Sequence, residues 1–443
     1  MISVAPRAAP SVAPAAGAYA WYVALLLATA HLVSFVDRFL MSLVMEPLKA
    51  DLGVSDAQLG LLQGTGFVVL YTLVAVPLGR MADRVNRRNL IVAGILLWSI
   101  ATALCGLASS FGELFLARVG VGFGEAALVP AAMSLLAAYF PRRQLGRAVS
   151  LFTTGASLGK SAALIGGGAV LALLTAAGGL TVAGLVELSP WQGTFVIMAV
   201  PGIVLALLML SVREPARPTS LIAKPGIADA WHYVRKHRAA FALHTGASAL
   251  VVLTIQSLAA WSPSFYIRFF ELTPPQAGLA IGSIILIAAP LGHLSGGVLT
   301  DVFQARRWPS PAAPVIAIGL VSAIPALLVF ANSDHLGVSL AAYGVLSFFI
   351  TLAAPASLAG LQMLAPDNLR GIITSMFLAI TTLVGIGVGP LLIGVITDLS
   401  GGPMQLGKAL VFAITIVAVI GTLLALMSQK PFEKTAALAA AGR

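Results

Sequence analysis

Residues Trp21–Met45 read WYVALLLATAHLVSFVDRFLMSLVM, a run of 25 residues in which most side chains are apolar. A run of this length is enough to cross the hydrocarbon core of a bilayer as one helix. Asp37 and Arg38 lie well inside it. A charged side chain at the bilayer centre costs about 2.5–3.5 kcal/mol on insertion scales, and such residues are rare and usually functional. The stretch therefore predicts a membrane-spanning helix whose charged pair marks a functional site.

Eleven more apolar stretches follow, so that the chain is divided into twelve spans. We place them at about 20–45, 57–79, 89–109, 112–138, 148–175, 191–212, 241–266, 276–300, 312–332, 336–365, 371–398 and 404–428. Hydrophobic residues make up 59% of the chain and charged residues 9%, whereas a soluble domain carries about 25% charged residues. This composition excludes an ordinary soluble protein. It predicts an all-α membrane protein with twelve transmembrane helices in two six-helix halves.

The basic residues follow the even-numbered spans. The clusters are Arg80, Arg84, Arg87 and Arg88 after span 2, Arg142, Arg143 and Arg147 after span 4, and Arg306 and Arg307 after span 8. Loops on the other side hold only Lys49, Arg268 and Lys408. Because cytoplasmic loops carry the excess of Lys and Arg, both termini are predicted to be cytoplasmic. The predicted location of the protein is the inner (plasma) membrane of a bacterium. The net charge of +10 thus indicates a lipid bilayer as the partner, and not a nucleic acid.

The longest loop, 213–240, separates six spans from six. It ends in WHYVRKHR (Trp231–Arg238), which predicts a short basic helix on the membrane surface. The predicted division is a disordered tail at 1–19, an N-terminal bundle at 20–212, a linker at 213–240, a C-terminal bundle at 241–428 and a second tail at 429–443. The single cysteine, Cys105, permits no internal disulfide, and we expect a monomer without cofactor or metal.

One loop carries a recognisable motif, GRMADRVNRR from Gly79 to Arg88. Its glycine, acid–base pair and closing basic pair are Gly79, Asp83, Arg84, Arg87 and Arg88, with Asn86 where glycine is more usual. The pattern resembles the loop motif of the major facilitator superfamily. A second copy after span 8 keeps Gly297, Asp301, Arg306 and Arg307 but has Val302 in place of the arginine. Since secondary transporters are built from paired repeats with the solute site at the bilayer midplane, the resemblance implies that architecture over the whole chain.

Two segments, Val36–Gly64 and Arg118–Pro141, resemble the spinster-like branch of that superfamily. Its animal members are associated with export of lysolipids and sphingoid phosphates. The organic anion:cation symporter branch is the alternative, because it also places Asp-Arg in span 1 and an Arg and a Glu seven residues apart in span 4. The residues leave the choice open between a lipid-like amphiphile and a sugar acid or other carboxylate.

Charges inside the spans are the candidates for the site. They are Asp37 and Arg38 in span 1, Arg118 and Glu125 in span 4, and Lys160 in span 5. Arg118 and Glu125 are two helical turns apart and share a face, separated by about 10.5 Å along the axis. Depth along the helices predicts that Asp37 pairs with Arg118 and that Glu125 lies nearer the midplane. Because burial favours the protonated carboxyl, Glu125 is the predicted proton carrier. The alternative is that these charges only neutralise one another and fix packing.

Lys160 follows Gly155-x-x-x-Gly159 near mid-membrane. It would either meet an anionic group of the solute or balance Glu125. Span 11 has the related arrangement Gly385-x-x-x-Gly389-Pro390, whereas span 5 lacks the proline that usually follows in facilitator antiporters. His31 lies six residues before Asp37 and is interpreted as a packed histidine. The direction of transport is therefore not specified by this pattern.

The loop motif is predicted to act as a latch, in which Asp83 caps a helix and the arginines bind acids or helix ends across the halves. The expected function is secondary active, proton-coupled movement of a small amphipathic or anionic solute by alternating access. A non-transporting sensor or scaffold on the same fold is a weaker alternative. An enzyme is not expected, because no nucleophile–base set or metal-ligand cluster is visible.

Overall fold

The computed structural model describes residues 17–82, 84–182, 186–215 and 226–441. In these residues, twelve helices are long and apolar enough to cross a membrane. Spans 1 to 6 are Ala18–Leu52, Asp56–Ala75, Arg87–Leu107, Phe111–Tyr139, Gln144–Ala177 and Pro190–Met209. Spans 7 to 12 are Arg238–Phe270, Pro274–Ala305, Ala312–Asn332, Leu336–Leu364, Arg370–Leu399 and Pro403–Met427. The prediction of an all-α, twelve-helix membrane protein is confirmed.

The two ends of the bundle are named here by their residues. The basic face carries the loops after even-numbered spans, including Arg87 and Arg306. The opposite face carries the loops after odd-numbered spans, including Lys49, Asp56 and Arg268. The N-terminal half means spans 1 to 6, and the C-terminal half means spans 7 to 12.

Several helices extend further than predicted. Span 1 was expected to end at residue 45 but continues through Pro47 to Leu52, because a proline is tolerated in a membrane helix whose neighbours satisfy its backbone. It ends at Gly53, whose φ of 65° gives the left-handed cap that glycine favours. The helix of span 5 runs from Arg142 to Ala177, not from 148 to 175. Apolar content alone therefore underestimates helices that project beyond the hydrocarbon core.

Spans 2 and 11 each contain a π-helical turn, Leu61–Thr65 and Leu383–Val388. The two turns pack against each other across the halves, and Thr65 Oγ1 donates to the Gly387 carbonyl at 2.7 Å. A Cβ added to Gly64 would collide with the Ile386 carbonyl oxygen, so this approach requires glycine. Such turns occur frequently at functional sites in membrane and soluble helices.

Three smaller elements lie outside the spans. Strands β1 (Leu180–Val182) and β2 (Val186–Leu188) form an antiparallel hairpin between spans 5 and 6, which the sequence analysis did not predict. The linker helix, Ile227–Lys236, begins four residues before the predicted basic helix. A C-terminal helix, Gln429–Ala441, occupies the predicted second tail. Ala230 of the linker helix and Phe432 of the C-terminal helix are buried in one cluster with the ends of spans 7 and 10.

Close packing of spans 1 and 5 positions the charged residues. Cβ atoms on Gly155 and Gly159 would collide with the Ala28 and Leu32 carbonyls of span 1. Small residues permit this approach of two membrane helices. Lys160, the next residue along, is therefore held close to the charged pair on span 1.

Candidate functional site

Arg38 and Glu125 form a buried ion pair at the centre of the N-terminal half. Arg38 Nη2 lies 2.5 Å from Glu125 Oε2, and the two side chains are 9% and 1% exposed. The guanidinium carbon of Arg38 lies 4.2 Å from the Phe67 ring centroid, 4.6 Å from that of Phe35 and 5.5 Å from that of Tyr71. Aromatic faces stabilise a cation that has left water. The span 1 arginine is thus held by one carboxylate and three rings.

Asp37 lies beside this pair without a donor. Both of its carboxyl oxygens are buried and have no hydrogen-bond partner among the described residues, although Trp98 and Thr102 lie near the carboxyl. Adjacent helical residues point about 100° apart, so Asp37 cannot share the contacts of Arg38. An ionised carboxylate without partners is very costly in an apolar interior. The geometry therefore suits a carboxyl that carries its proton.

The predicted pairing of Asp37 with Arg118 is not formed. Arg118 Nε donates to the Leu62 carbonyl at 3.2 Å, and Nη1 donates to the backbone carbonyl of Asp37 at 3.4 Å. The reason lies in the π turn of span 2. There the Gly66 N–H binds the Leu61 carbonyl, whereas an α-helix would direct it to Leu62, so the Leu62 carbonyl can accept from Arg118. Nη2 of Arg118 is buried without a partner.

Lys160 is half-buried and stands apart from the acids. Its Nζ lies 4.9 Å from the Phe39 ring centroid, and no ion pair to it is formed by the described residues. Glu125 is already bound by Arg38, so the alternative in which Lys160 balances Glu125 is not what the structure shows. His31 is packed as interpreted, with its ring stacked 4.2 Å from that of Phe152 and Nδ1 3.0 Å from the Phe152 carbonyl.

The described part of the loop motif binds within the N-terminal half. Arg87 Nε lies 2.7 Å from Glu214 Oε1, and the backbone N–H groups of Arg87 and Arg88 both donate to Glu214 Oε2. Asn86, the departure from glycine, caps span 3 by accepting from Asn89 N–H at 3.0 Å. Glu214 therefore binds the N-terminus of span 3, where Arg87 and Arg88 lie. The sequence analysis did not assign this role.

Only some of the other residues predicted on the basic face are described by the structure. Asp83 lies outside the described residues, as do the side chains of Arg142 and Arg143. Gly79 lies in the helix Gly66–Ala82 and Arg84 is exposed. Asp301, in the second copy, is exposed. The contacts described for Arg87 and Arg88 do not cross the halves, which differs from the predicted latch.

A second charged cluster joins the halves at the opposite face, and the sequence analysis missed it. Asp56 is fully buried, and Arg268 binds it with two hydrogen bonds, Nη2 to Oδ1 at 2.7 Å and Nη1 to Oδ2 at 2.9 Å. Lys49 also pairs with Asp56, and Glu46 Oε1 accepts from Arg268 Nε at 3.0 Å. We call Glu46, Lys49, Asp56, Arg268 and Asp398 the closing cluster.

Asp398 completes the closing cluster from span 11. Its carboxylate accepts from the backbone N–H groups of Asp56 and Ala57 at 3.2 and 2.8 Å. These are the first residues of span 2, where helix N–H groups lack partners and favour a negative charge. One half thus caps a helix of the other. In the sequence, Asp56 and Asp398 each lie at the end of an apolar span. That position alone does not indicate that the two residues meet.

The C-terminal half contributes neutral polar groups from spans 7 and 10. Trp261 Nε1 donates to the Pro390 carbonyl at 2.9 Å, Tyr343 is buried, and the hydroxyls of Ser248 and Ser257 are buried without partners. The mid-membrane charges described above all belong to the N-terminal half. The site is therefore charged on one side and largely apolar on the other.

Twelve spans in two halves, tied together at one face and carrying buried charges midway, define a multi-pass membrane transport protein. Residues 27–386 match the model of the Major Facilitator Superfamily, and the chain belongs to that family. It is 31% identical to an MFS-type efflux pump of Mycolicibacterium smegmatis, over 91% of each chain. It is 25% identical to protein spinster of Drosophila melanogaster, over 88% of this chain and 64% of that protein.

A solved structure agrees with these relatives. The crystal structure of a bacterial homologue of the human lysosomal transporter spinster, in an inward-facing and unoccupied conformation, superimposes with a TM-score of 0.79. The two chains are 25% identical, and the match covers 96% of this chain and 98% of that one. The predicted resemblance to the spinster-like branch is confirmed.

Proposed function

We propose that the protein is a proton-coupled transporter of an amphipathic, lipid-like or organic-anion solute. The observation that carries the proposal is the unpaired Lys160. The charged groups at mid-membrane comprise three bases, Arg38, Arg118 and Lys160, against two acids, and among the described residues only Arg38 forms an ion pair with an acid. A cation in a membrane interior normally has one. An anionic solute would supply the missing partner.

The two sides of the site support an amphiphile over a sugar acid. The head group would meet the bases of the N-terminal half, and most of the apolar part would lie against the C-terminal half, whose polar groups described above are few and neutral. A sugar acid has hydroxyl groups over its whole length and would leave most of them unbound there, which is costly. A sugar acid or another carboxylate is the alternative that the experiment below includes.

Asp37 is the proton carrier in this proposal. Glu125, to which the sequence analysis gave that role, forms the ion pair with Arg38, and that contact favours its anion. No donor among the described residues forms a hydrogen bond with the Asp37 carboxyl, and in this proposal it carries the proton in this conformation. Loss of that proton would favour movement of Arg118, whose Nη1 already contacts the Asp37 backbone, toward the carboxylate. Rearrangement of a bistable set of partners couples proton binding to a change in conformation.

Orientation and location belong to the proposal too. We propose that the basic face lies in the cytoplasm of a bacterial cell, with both termini there and the linker 213–240 between the two bundles. The closing cluster would then shut the outer side, which corresponds to an inward-facing state. Cysteine labelling in a Cys105→Ser background tests this orientation. Labelling of a cysteine at position 224 or 430 by an impermeant reagent added to intact cells would contradict it.

The test of coupling uses purified protein in proteoliposomes, with lysophosphatidic acid, glycerol 3-phosphate and gluconate as solutes. We expect Asp37→Asn, which mimics the protonated carboxyl, to keep solute exchange but lose accumulation driven by a pH gradient. Glu125→Gln leaves Arg38 without an anion and should impair exchange as well. Gradient-driven accumulation that persists in Asp37→Asn would reject Asp37 as the carrier. Transport of gluconate alone would favour the alternative solute class.

A further inference from the structure

His293 of span 8 is a polar group that the proposed function does not use. Its Nδ1 lies 2.7 Å from the Ala289 carbonyl, one turn earlier in the same helix. A carbonyl can only accept, so Nδ1 carries a hydrogen and the second nitrogen, Nε2, remains for another partner. No hydrogen bond to Nε2 is formed by the described residues, and the side chain is exposed. An imidazole fixed at one nitrogen and open at the other is an oriented binding group.

The packing of spans 5 and 8 shows which way His293 faces. A Cβ on Gly282 of span 8 would lie 2.7 Å from Ile165 and 3.3 Å from the Ser161 carbonyl, so this face of span 8 packs against span 5. His293 is eleven residues further on. At 100° per residue it returns to within about 20° of the Gly282 face, about 16 Å along the axis toward the basic face. His293 therefore lies on the side of span 8 that packs against span 5, the helix that carries Lys160.

The directions of the two side chains make them converge. A helical side chain leans toward the N-terminus of its own helix. Span 5 starts at the basic face, so Lys160 leans toward that face. Span 8 starts at the opposite face, so His293, which lies deeper toward the basic face, leans back toward the middle.

Resting on the proposed function, we propose that Lys160 and His293 form a two-sided oxyanion site that holds the carboxylate or phosphate head group of the solute between the halves. Lys160 supplies the charge from the N-terminal half. Nε2 of His293 donates to the oxyanion when the ring is protonated and accepts from a hydroxyl or acid proton when it is neutral. Phe39, in contact with Lys160, begins the apolar side of the site.

The site would also link binding to movement. Lys160 and His293 belong to different halves, so a shared anion draws spans 5 and 8 together on the basic side. Without an anion, Lys160 and His293 do not attract each other, so this pair does not favour the approach of spans 5 and 8. A ligand that contacts both halves stabilises the closed arrangement by its differential affinity for that state.

The test measures binding to the purified full-length protein in detergent. The probes are oleoyl lysophosphatidic acid, glycerol 3-phosphate and gluconate, with monooleoylglycerol as the uncharged control. We expect His293→Ala and Lys160→Met each to weaken binding of at least one anion by about tenfold or more, as loss of a bond to a charged group does. Binding of monooleoylglycerol should be unchanged. The two lipid probes differ only in the head group, and the two soluble anions show whether the apolar tail is needed.

A double-mutant cycle separates one shared site from two separate ones. If both side chains bind the same head group, the effects in the double variant are less than additive. His293→Gln, which keeps a polar side chain, should bind more tightly than His293→Ala. Unchanged anion affinity in a folded His293→Ala protein, with Lys160→Met impaired, would overturn this site but leave the proposed function. Failure of all three anions to bind the unmodified protein would overturn both.

Discussion

The closing cluster and the mid-membrane charges contain similar residue types in opposite conditions. In the closing cluster, Asp56 is buried but accepts from both Arg268 and Lys49, and Asp398 binds two backbone N–H groups. At mid-membrane, both oxygens of Asp37, one nitrogen of Arg118 and one oxygen of Glu125 are buried without partners. The first set is satisfied in this conformation, and the second is not.

This difference separates a structural role from a working one. A satisfied network of buried charges stabilises the single arrangement in which all its partners meet, and is lost when the halves part. Buried charges without partners are costly in the arrangement shown and gain by changing partners, which is the behaviour expected of a coupling site. Four predictions test this distinction, from the largest expected effect to the smallest.

The largest effect should come from Arg38→Met. Removing one member of a buried ion pair leaves the other uncompensated and costs about 3–5 kcal/mol, so we expect a large fall in the melting temperature and no transport. Adding Glu125→Gln to the same chain removes the orphan charge. The double variant should regain most of the lost stability in thermal unfolding and still not transport. If the double variant is as unstable as Arg38→Met alone, the ion pair is not the source of the effect.

Arg268→Met should open the opposite face. The change removes two charged hydrogen bonds to Asp56 and one to Glu46, each worth about 1.5–3 kcal/mol when the partner is charged. Ser264, fully buried near Met45, provides a reporter as Ser264→Cys in a Cys105→Ser background. We expect impermeant thiol labelling from that face to become faster by at least about tenfold.

Lys408→Met provides the control for that experiment. Lys408 is exposed on the same face, so its removal lowers the positive charge equally and touches no part of the closing cluster. Labelling of Ser264→Cys should be unchanged in this variant. Equal acceleration by both substitutions would show that surface charge, and not the closing cluster, governs access.

The two copies of the loop motif give a smaller, matched comparison. Asp83→Asn removes a charge with little change in volume, and we expect the transport rate to fall about tenfold, equivalent to about 1.4 kcal/mol, while the protein still inserts and folds. Asp301→Asn, at the corresponding position of the second copy, should have less effect because Val302 replaces the arginine of the first copy. If Asp83→Asn transports as fast as both Asp301→Asn and the unmodified protein, the first copy of the motif is only a signal for orientation.

The twelve spans could be predicted because a bilayer forces every backbone group to be satisfied within its own helix, which makes hydrophobic length a local signal. The buried charges could be predicted because charged residues inside an apolar span are rare and usually functional. Their partners could not. Arg38 and not Asp37 faces Glu125, and Arg118 takes the Leu62 carbonyl instead of a carboxylate, because a π turn in a third helix supplies that acceptor.

The closing cluster was beyond local patterns altogether. Asp398 binds the start of span 2 across 342 residues of sequence, and neither residue type nor spacing indicates that two span ends will meet. Nor does the sequence around His293 indicate a role for it. Its significance depends on the face of span 8 that packs against span 5, which Gly282 reveals only once the packing is known.

The smallest effect is expected for Lys160→Met, and setting it beside Lys49→Met compares the two regions most directly. Lys49→Met removes a partner of the buried Asp56 and should lower the free energy of unfolding by about 1–3 kcal/mol. Lys160→Met removes a half-buried cation that forms no ion pair with an acid among the described residues, and keeps the volume of the stem. We expect between no change and a gain of about 1 kcal/mol, because the cost of holding that charge in the membrane disappears. Thermal unfolding of both variants in one detergent measures the pair. A stability loss in Lys160→Met equal to that in Lys49→Met, with binding of anionic solutes unchanged, would mean that Lys160 serves local charge balance after all.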